Sequence, residues 1–178
     1  QTMLFSATMP KLMAELSQNY LNDPVRVQVS APGQAADKIT QSVHFIAQSE
    51  KSRLLVEYLG RHRGEQALVF SRTKHGAEKL MKQVDAAGFP VSSIHGNKSQ
   101  GQRERALQSF RDGRLQVLVA TDVAARGIDI AGVRHVYNYD LPNVPENYIH
   151  RIGRTARAGA AGAAVAFCAP AEMKELRA

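Results

Sequence analysis

Ten residues near the carboxyl end concentrate the chemistry this chain can offer: His150-Arg151-Ile152-Gly153-Arg154-Thr155-Ala156-Arg157-Ala158-Gly159. Asn143 can cap, Pro145 suits a first helical turn and Gly159 supplies a stop, so the spacing predicts a helix. On that helix His150, Arg154 and Arg157 recur at i, i+4 and i+7 and share one face, with Arg151 at its margin. So many cations with few acids repel one another unless an anion sits opposite, and the planar guanidinium fork matches phosphate geometry. A solvated basic face is the plainer alternative. Gly153 weighs against it, because a glycine inside a helix costs roughly 1 kcal/mol relative to alanine and points to close packing.

Three further clusters stand where apolar runs give way to polar residues: Ser71-Arg72-Thr73-Lys74, His95-Gly96-Asn97-Lys98 and Thr121-Asp122. Hydroxyls, exposed amides and helix N-termini make anion sites, so together these loops could track a phosphate backbone. Turn chemistry and capping explain any one of them equally well; it is three in succession that favours the anion.

The elements that must position these groups alternate along the chain. Ile39 to Ala47 reads as a strand, and Ser49 can cap a helix whose Leu54, Leu55, Tyr58 and Leu59 form an apolar stripe. Ala67-Leu68-Val69-Phe70 is a continuous apolar run, as expected of a strand buried on both faces. The next helix uses Ala77, Leu80, Met81 and Val84 and stops at Gly88. Val91 to Ile94 is a strand, and Ser99-x-x-Gln102 forms a capping box before Ala106, Leu107 and Phe110. Strands follow at Leu115 to Val119, Arg134 to Tyr139 and Ala163 to Cys168. Short buried strands between amphipathic helices imply an open α/β domain with a largely parallel sheet, whose ligands gather at the carboxyl ends of the strands.

Ahead of this domain, Gln1 to Thr8 starts in mid-pattern and reads as the last strand of something that precedes it. A helix opens at Pro10 with Leu12, Met13, Leu16 and Tyr20 and closes at Asn22-Asp23-Pro24. Val25 to Val29 alternates as a strand, and Ser30 to Ala36 is linker-like. The expected boundary therefore lies near residue 36, giving a segment 1–36 and a domain 37–178. Cut from their sheet, residues 1–8 are expected to be disordered or to pack on a neighbouring molecule.

With 44% apolar residues the 178-residue chain can build a real core, and 23 basic against 16 acidic residues give a net charge of +7, which favours a polyanionic partner such as nucleic acid. A single cysteine, Cys168, excludes an intrachain disulfide and points to a reducing compartment; its apolar strand implies a buried, inert thiol. No apolar run suits a membrane span and no leader is visible, so the expected location is the cytoplasm, without membrane association. No Gly-rich loop ending in Gly-Lys-Ser/Thr is present, nor an acidic cluster placed to hold Mg²⁺ beside one.

Four stretches in order resemble the carboxyl-half motifs of DEAD-box ATP-dependent RNA helicases: Ser6-Ala7-Thr8 (motif III), Val69-Phe70-Ser71-Arg72-Thr73 (motif IV), Ala120-Thr121-Asp122-Val123-Ala124-Ala125-Arg126-Gly127-Ile128-Asp129 (motif V) and the arginine segment (motif VI). Gln100 and Arg103 match the family's Gln-x-x-Arg element, with His95-Gly96 ahead of it. The resemblance spans essentially the whole chain, and motifs V and VI carry most of its specificity. Phe70 to Gly76 and Ile94 to Gln100 look most like the bacterial RhlE-type group.

The resemblance implies a RecA-like open parallel sheet flanked by helices, the second domain of a two-domain helicase core, preceded by the end of the first domain and the linker. It implies that Arg154 and Arg157 are arginine fingers for ATP, that Asp129 accepts from the ribose, that Gly127 admits the nucleotide and that Arg126 joins the ATP and RNA sites. His150 and Arg151 would bridge to the N-terminal domain. Thr121 and Arg103 would contact RNA phosphates, with Thr73, Gly96 and Gln100 on the same track. For Asp122 a structural loop role competes with one near the RNA. ATP is the implied cofactor, with Mg²⁺ held mainly by the missing N-terminal domain, so this stretch alone is expected to be inactive as an ATPase and helicase. Ala156 departs from the glycine usual in the family; on a helix it should be tolerated and slightly stabilising, while narrowing the approach between domains. The alternative reading is a stand-alone RNA-binding module without nucleotide chemistry, which the start in mid-strand disfavours.

Overall fold

Six stretches pair as strands in the computed structural model, which describes residues 1–6, 9–27, 38–126, 128, 130, 132–157 and 160–177. They are β1 (Ile39–Phe45), β2 (Gln66–Phe70), β3 (Val91–Ile94), β4 (Val117–Ala120), β5 (Val133–Asn138) and β6 (Gly162–Cys168). The strands form one sheet in the order β1-β6-β5-β2-β4-β3, and each neighbouring pair is parallel. The helices are α1 (Lys11–Tyr20), α2 (Lys51–Arg61), α3 (Lys74–Ala86), α4 (Gln100–Arg111), α5 (Asp122–Ala125), α6 (Pro145–Ile152) and α7 (Met173–Arg177).

Alternation along the central strands divides the core in two. Ala67 and Val69 of β2 with Val117 and Val119 of β4 face Leu55 and Leu59 of α2 and Leu80 and Val84 of α3. Leu68, Phe70, Leu118 and Ala120 face the other way, towards Ala106 and Phe110 of α4. A strand with period two that is covered on both sides must be apolar throughout, which is why these runs do not alternate with polar residues. At about 1.5–3 kcal/mol for each large side chain removed from water, the two layers dominate the stability of the sheet. Gly88 and Gly113 turn the chain back into β3 and β4 with φ of 86° and 72°, a left-handed conformation that side chains resist.

Several boundaries differ from expectation. β1 stops at Phe45, and a 3-10 turn over Gln48–Glu50 leads into α2, so Ser49 does not cap that helix. The capping box of Ser99 and Gln102 is present as expected. The arginine helix is half its anticipated length: α6 begins with Pro145 at its first turn, Val144 rather than Asn143 precedes it, and Gly153 already stands at its carboxyl cap.

Residues Gln1–Ala35 and Ala36–Ala178 form two compact units. In the first, α1 follows Pro10 as expected, but Val25–Val27 form no strand, and these valines are exposed; the rest of that expected strand, Gln28 and Val29, lies outside the described residues. Gln1–Ser6 likewise enter no helix or strand. Among the described residues no helix is long and apolar enough to cross a membrane.

Candidate functional site

Because all strands run the same way, their carboxyl ends share one edge, and the sheet order sets β2, β4 and β3 side by side there. The three polar loops therefore fall in a row. Thr73 caps α3, its hydroxyl accepting from the Gly76 amide at 2.9 Å. Gly76 is required for that turn: a Cβ there would lie 2.8 Å from Ser71 Oγ and 2.9 Å from Thr73 Oγ1. Lys74 Nζ donates to Asn97 Oδ1 at 3.0 Å, tying this loop to the one after β3. Gly96 has open space where a Cβ would project. Gln100 donates to Glu104 at 2.8 Å on the exposed side of α4. Arg103 Nη2 donates to Ala124 O at 3.3 Å, while its buried Nε has no hydrogen-bond partner among the described residues. Thr121 leads α5 without a side-chain capping bond.

The loop after β3 hangs on Glu78. Its carboxylate accepts from Ser93 Oγ at 2.7 Å, pairs with His95 Nε2 at 2.8 Å and meets Lys98 Nζ at 3.0 Å. The His95 and Ser93 hydrogen bonds, in that order, hold the Glu78 carboxyl down at about 2.

The arginine segment is arranged differently from a single helical face. Arg151, only 1% exposed, turns inward from α6. Its Nε donates to Asp122 Oδ1 at 2.6 Å and its Nη2 to Asp122 Oδ2 at 2.8 Å. Its Nη1 reaches Asn138 Oδ1 at 3.1 Å and Asp140 O at 2.6 Å, and its plane lies over the Phe70 ring, 5.0 Å from the centroid. The anion facing Arg151 is thus the protein's own. In this structure Arg151 is an internal anchor, and both carboxylate oxygens of Asp122 accept from it.

Arg154 and Arg157 lie beyond the helix. Arg154 donates through Nε to His150 O at 3.2 Å and through Nη1 to Ile128 O at 2.6 Å; Arg157 donates through Nε to Gly153 O at 2.9 Å. The segment is pinned by the buried Thr155, whose hydroxyl donates to Val133 O at 2.6 Å and lies 3.1 Å from Arg134 O. Ala156 follows with φ of 56°, so it stabilises no helix: it occupies the left-handed region where glycine is unstrained. Gly162 closes the arrangement from β6, with Thr155 Oγ1 only 2.1 Å from where its Cβ would be.

Between the α5 turn and α6 lies a cavity of about 200 Å³ lined by Phe70, Asp122, Arg126, His150, Arg151 and Arg154 among others. The structure thereby brings together Arg126 from one motif and His150 and Arg154 from the other. Gly127 and Asp129 lie outside the described residues. Among the described residues the lining holds one carboxylate, Asp122, which pairs with Arg151, beside the guanidinium groups of Arg126, Arg151 and Arg154.

A second anchor escapes the sequence reading. Lys51, fully buried, donates to Tyr139 O at 2.7 Å and pairs with Glu172. Glu172 also accepts from Arg72 Nη2 at 3.2 Å, Leu141 N at 3.1 Å and Ala169 N at 2.9 Å. Asp140 accepts the Ser71 hydroxyl at 3.0 Å and the Arg72 amide at 2.9 Å, so it holds the loop after β2. The available signal was the Lys51, Leu55, Leu59 spacing, which sets a lysine on the buried stripe of α2. Cys168 is buried, and burial pushes its thiol up, as suits an inert core residue.

The model of the helicase conserved C-terminal domain matches residues 50–159. The chain is 44% identical over 177 residues to the ATP-dependent RNA helicase CshA of Listeria monocytogenes, covering 99% of this chain and 34% of that relative. Among solved structures it is similar to the E. coli DEAD-box protein SrmB bound to regulator of ribonuclease activity A, with a TM-score of 0.75 at 38% identity over 80% of this chain and 84% of that one. It is also similar to S. cerevisiae Dbp5 bound to RNA and ADP BeF3, with a TM-score of 0.87 at 32% identity, over 97% of this chain and 46% of that one. The chain spans about a third of the length of the curated relative.

Proposed function

Since the chain belongs to the helicase conserved C-terminal domain family, within the DEAD-box group, and has its RecA-like fold, we propose that it is the carboxyl half of an ATP-dependent RNA helicase. In this reading ATP is bound chiefly by an N-terminal RecA-like domain, and residues 1–36 are the end of that domain and the linker. The cavity carries the proposal: Arg126 and Arg154, from separate motifs, line one basic recess at the carboxyl edge of the sheet. Arg154 and Arg157 would meet the ATP phosphates, stabilising the charge that develops as the terminal phosphate is transferred. Asp129 would meet the ribose, Gly127 would let the protein backbone approach the nucleotide, and His150 would face the N-terminal domain. Arg151 and Asp122 hold this side of the site in shape.

On the neighbouring loops, Thr73, Gly96, Gln100, Arg103 and Thr121 would follow the RNA backbone with little sequence preference. The open approach at Gly96 supports that track. Mg²⁺ would be held mainly from the N-terminal domain. Closure of the two domains on ATP and RNA would strain a short duplex locally, and hydrolysis would reopen them. The working compartment proposed is the cytoplasm. An RhlE-type subgroup rests only on Phe70 to Gly76 and Ile94 to Gln100; the Listeria relative bears the CshA name.

The test is RNA-stimulated ATP hydrolysis by this chain joined covalently to the matching N-terminal domain, with Arg157→Ala beside it. The joined protein should turn over ATP, and the variant should lose about 10³-fold of that rate while keeping its RNA affinity. Unchanged turnover would remove the finger assignment, and RNA binding indifferent to ATP throughout would favour a plain RNA-binding module.

A further inference from the structure

At the amino ends of the strands, on the edge opposite the cavity, His62 and Glu65 of the turn between α2 and β2 meet His135 of β5. His62 follows α2, Glu65 precedes β2, and His135 lies on β5 beside Ala67 of β2 and Ala163 of β6. One ligand-capable atom from each lies within 4.8 Å of the other two. Glu65 Oε2 bonds His135 Nε2 and stands 3.6 Å from His62 Nδ1, and the imidazole centroids are 4.2 Å apart. We propose that these side chains form a divalent transition-metal site, best suited to Zn²⁺, that fastens the end of α2 to the sheet.

The donors carry the argument. Two imidazole nitrogens and one carboxylate oxygen are a recognised Zn²⁺ set, tetrahedral with water in the fourth position. The spacing is also of the usual kind, a short pair, His62 and Glu65, joined by a distant third ligand. Ca²⁺ and Mg²⁺ prefer all-oxygen sets and fit poorly.

The frame around the ligands is built. The His62 carbonyl accepts from Gln116 Nε2 at 3.2 Å and from the Glu65 amide at 3.0 Å, closing the turn that presents both residues. His135 is buried, its ring stacked on Tyr137 at 6.0 Å and 15°, whereas the His62 and Glu65 side chains are 40% and 45% exposed. Metal thus has an open approach from solvent and one rigid ligand behind it.

Without metal, the same contacts make a hydrogen-bonded cluster that the fold tolerates, so the experiment must separate the two. Tag-free chain is titrated with Co²⁺, read by visible absorption, and with Zn²⁺, read by calorimetry and thermal melting. Expected are one saturable ion per chain, a d–d band of tetrahedral intensity, and a melting temperature that rises with Zn²⁺. His62→Ala and Glu65→Ala, both at solvent-facing positions, should each weaken binding by at least ~10–100-fold and abolish the rise. His135→Gln should do the same if it folds, but the case does not depend on it. No saturable ion, or binding unchanged in both exposed-site variants, overturns the proposal.

Discussion

Removing Asp122 offers the sharpest check on how the arginine segment is held. Asp122→Ala deletes the two charge-assisted bonds to Arg151, at 2.6 and 2.8 Å, and leaves a guanidinium that is 1% exposed with only Asn138 Oδ1, Asp140 O and the Phe70 ring. Stranding a buried charge costs about 3–5 kcal/mol. The Asp122 side chain is 24% exposed, so water reaches that end of the pair and the lower figure, about 3 kcal/mol, applies. With a urea m-value of roughly 2 kcal/mol/M for a domain of this size, the unfolding midpoint should fall by about 1.5 M. Arg151→Met supplies the second arm of a double-mutant cycle. In that background there is no buried cation to strand, so Asp122→Ala should cost under about 1 kcal/mol, a coupling of about 2 kcal/mol. A single-variant loss below about 1 kcal/mol, or equal losses in the two backgrounds, would refute the claim that this internal ion pair anchors the segment.

Ala156→Gly should raise stability by about 1 kcal/mol, a gain of ~2–4 °C in a melting scan, because it relieves a side chain held at φ of 56°; a loss would mean that the segment adopts another conformation. Gly162→Ala should lower stability by about 1–3 kcal/mol, since its Cβ would displace Thr155 and the Ala156 amide, and an unaltered melt would contradict the packing described. Glu78 should make the domain acid-sensitive. Its folded value, about 2, lies below the ordinary 4.5, so its stabilisation is complete above pH 4.5 and fades as pH falls towards 2. At 32% exposure the contribution is taken as about 1 kcal/mol; the gap between the native chain and Glu78→Gln, followed by urea unfolding across the acid range up to neutral pH, should stay constant above the ordinary 4.5 and close as pH falls from there towards 2.

What the sequence disclosed best was whatever follows from periodicity. Apolar runs at β2, β4 and β6 and the stripes of α2 and α3 are local signals with local causes, and the Ser99 box fixes the start of α4 from four residues alone. Strand boundaries moved by a residue or two, as happens when the last rung depends on a neighbour. The arginine segment misled for a physical reason. Spacing at i, i+4 and i+7 says which residues would share a face if a helix continued, not whether it does, and here Gly153 ends it. Nor does spacing reveal that Arg151 has an anion 29 residues earlier in the chain. The effect of Ala156 changed sign because it depends on φ, which a residue name does not carry. Lys51 stayed hidden because a lysine on a helix normally reads as solvated, and the groups that satisfy it when buried, Glu172, Asp140 and the Tyr139 carbonyl, lie far along the chain.

Parallel strands also separate two kinds of evolutionary freedom. The reactive loops lie at one edge, while the returns at Gly88 and Gly113, whose left-handed φ favours glycine, lie at the other. Away from those glycines and from the His62, Glu65 and His135 cluster, the exposed turns of that far edge can lengthen or accept an inserted segment and disturb little besides themselves. A lineage could therefore acquire recognition elements or tethers there without renegotiating the arginine geometry. An experimenter has the same licence: a reporter placed beside Gly113 would ride on the domain through its working cycle and leave the opposite edge untouched.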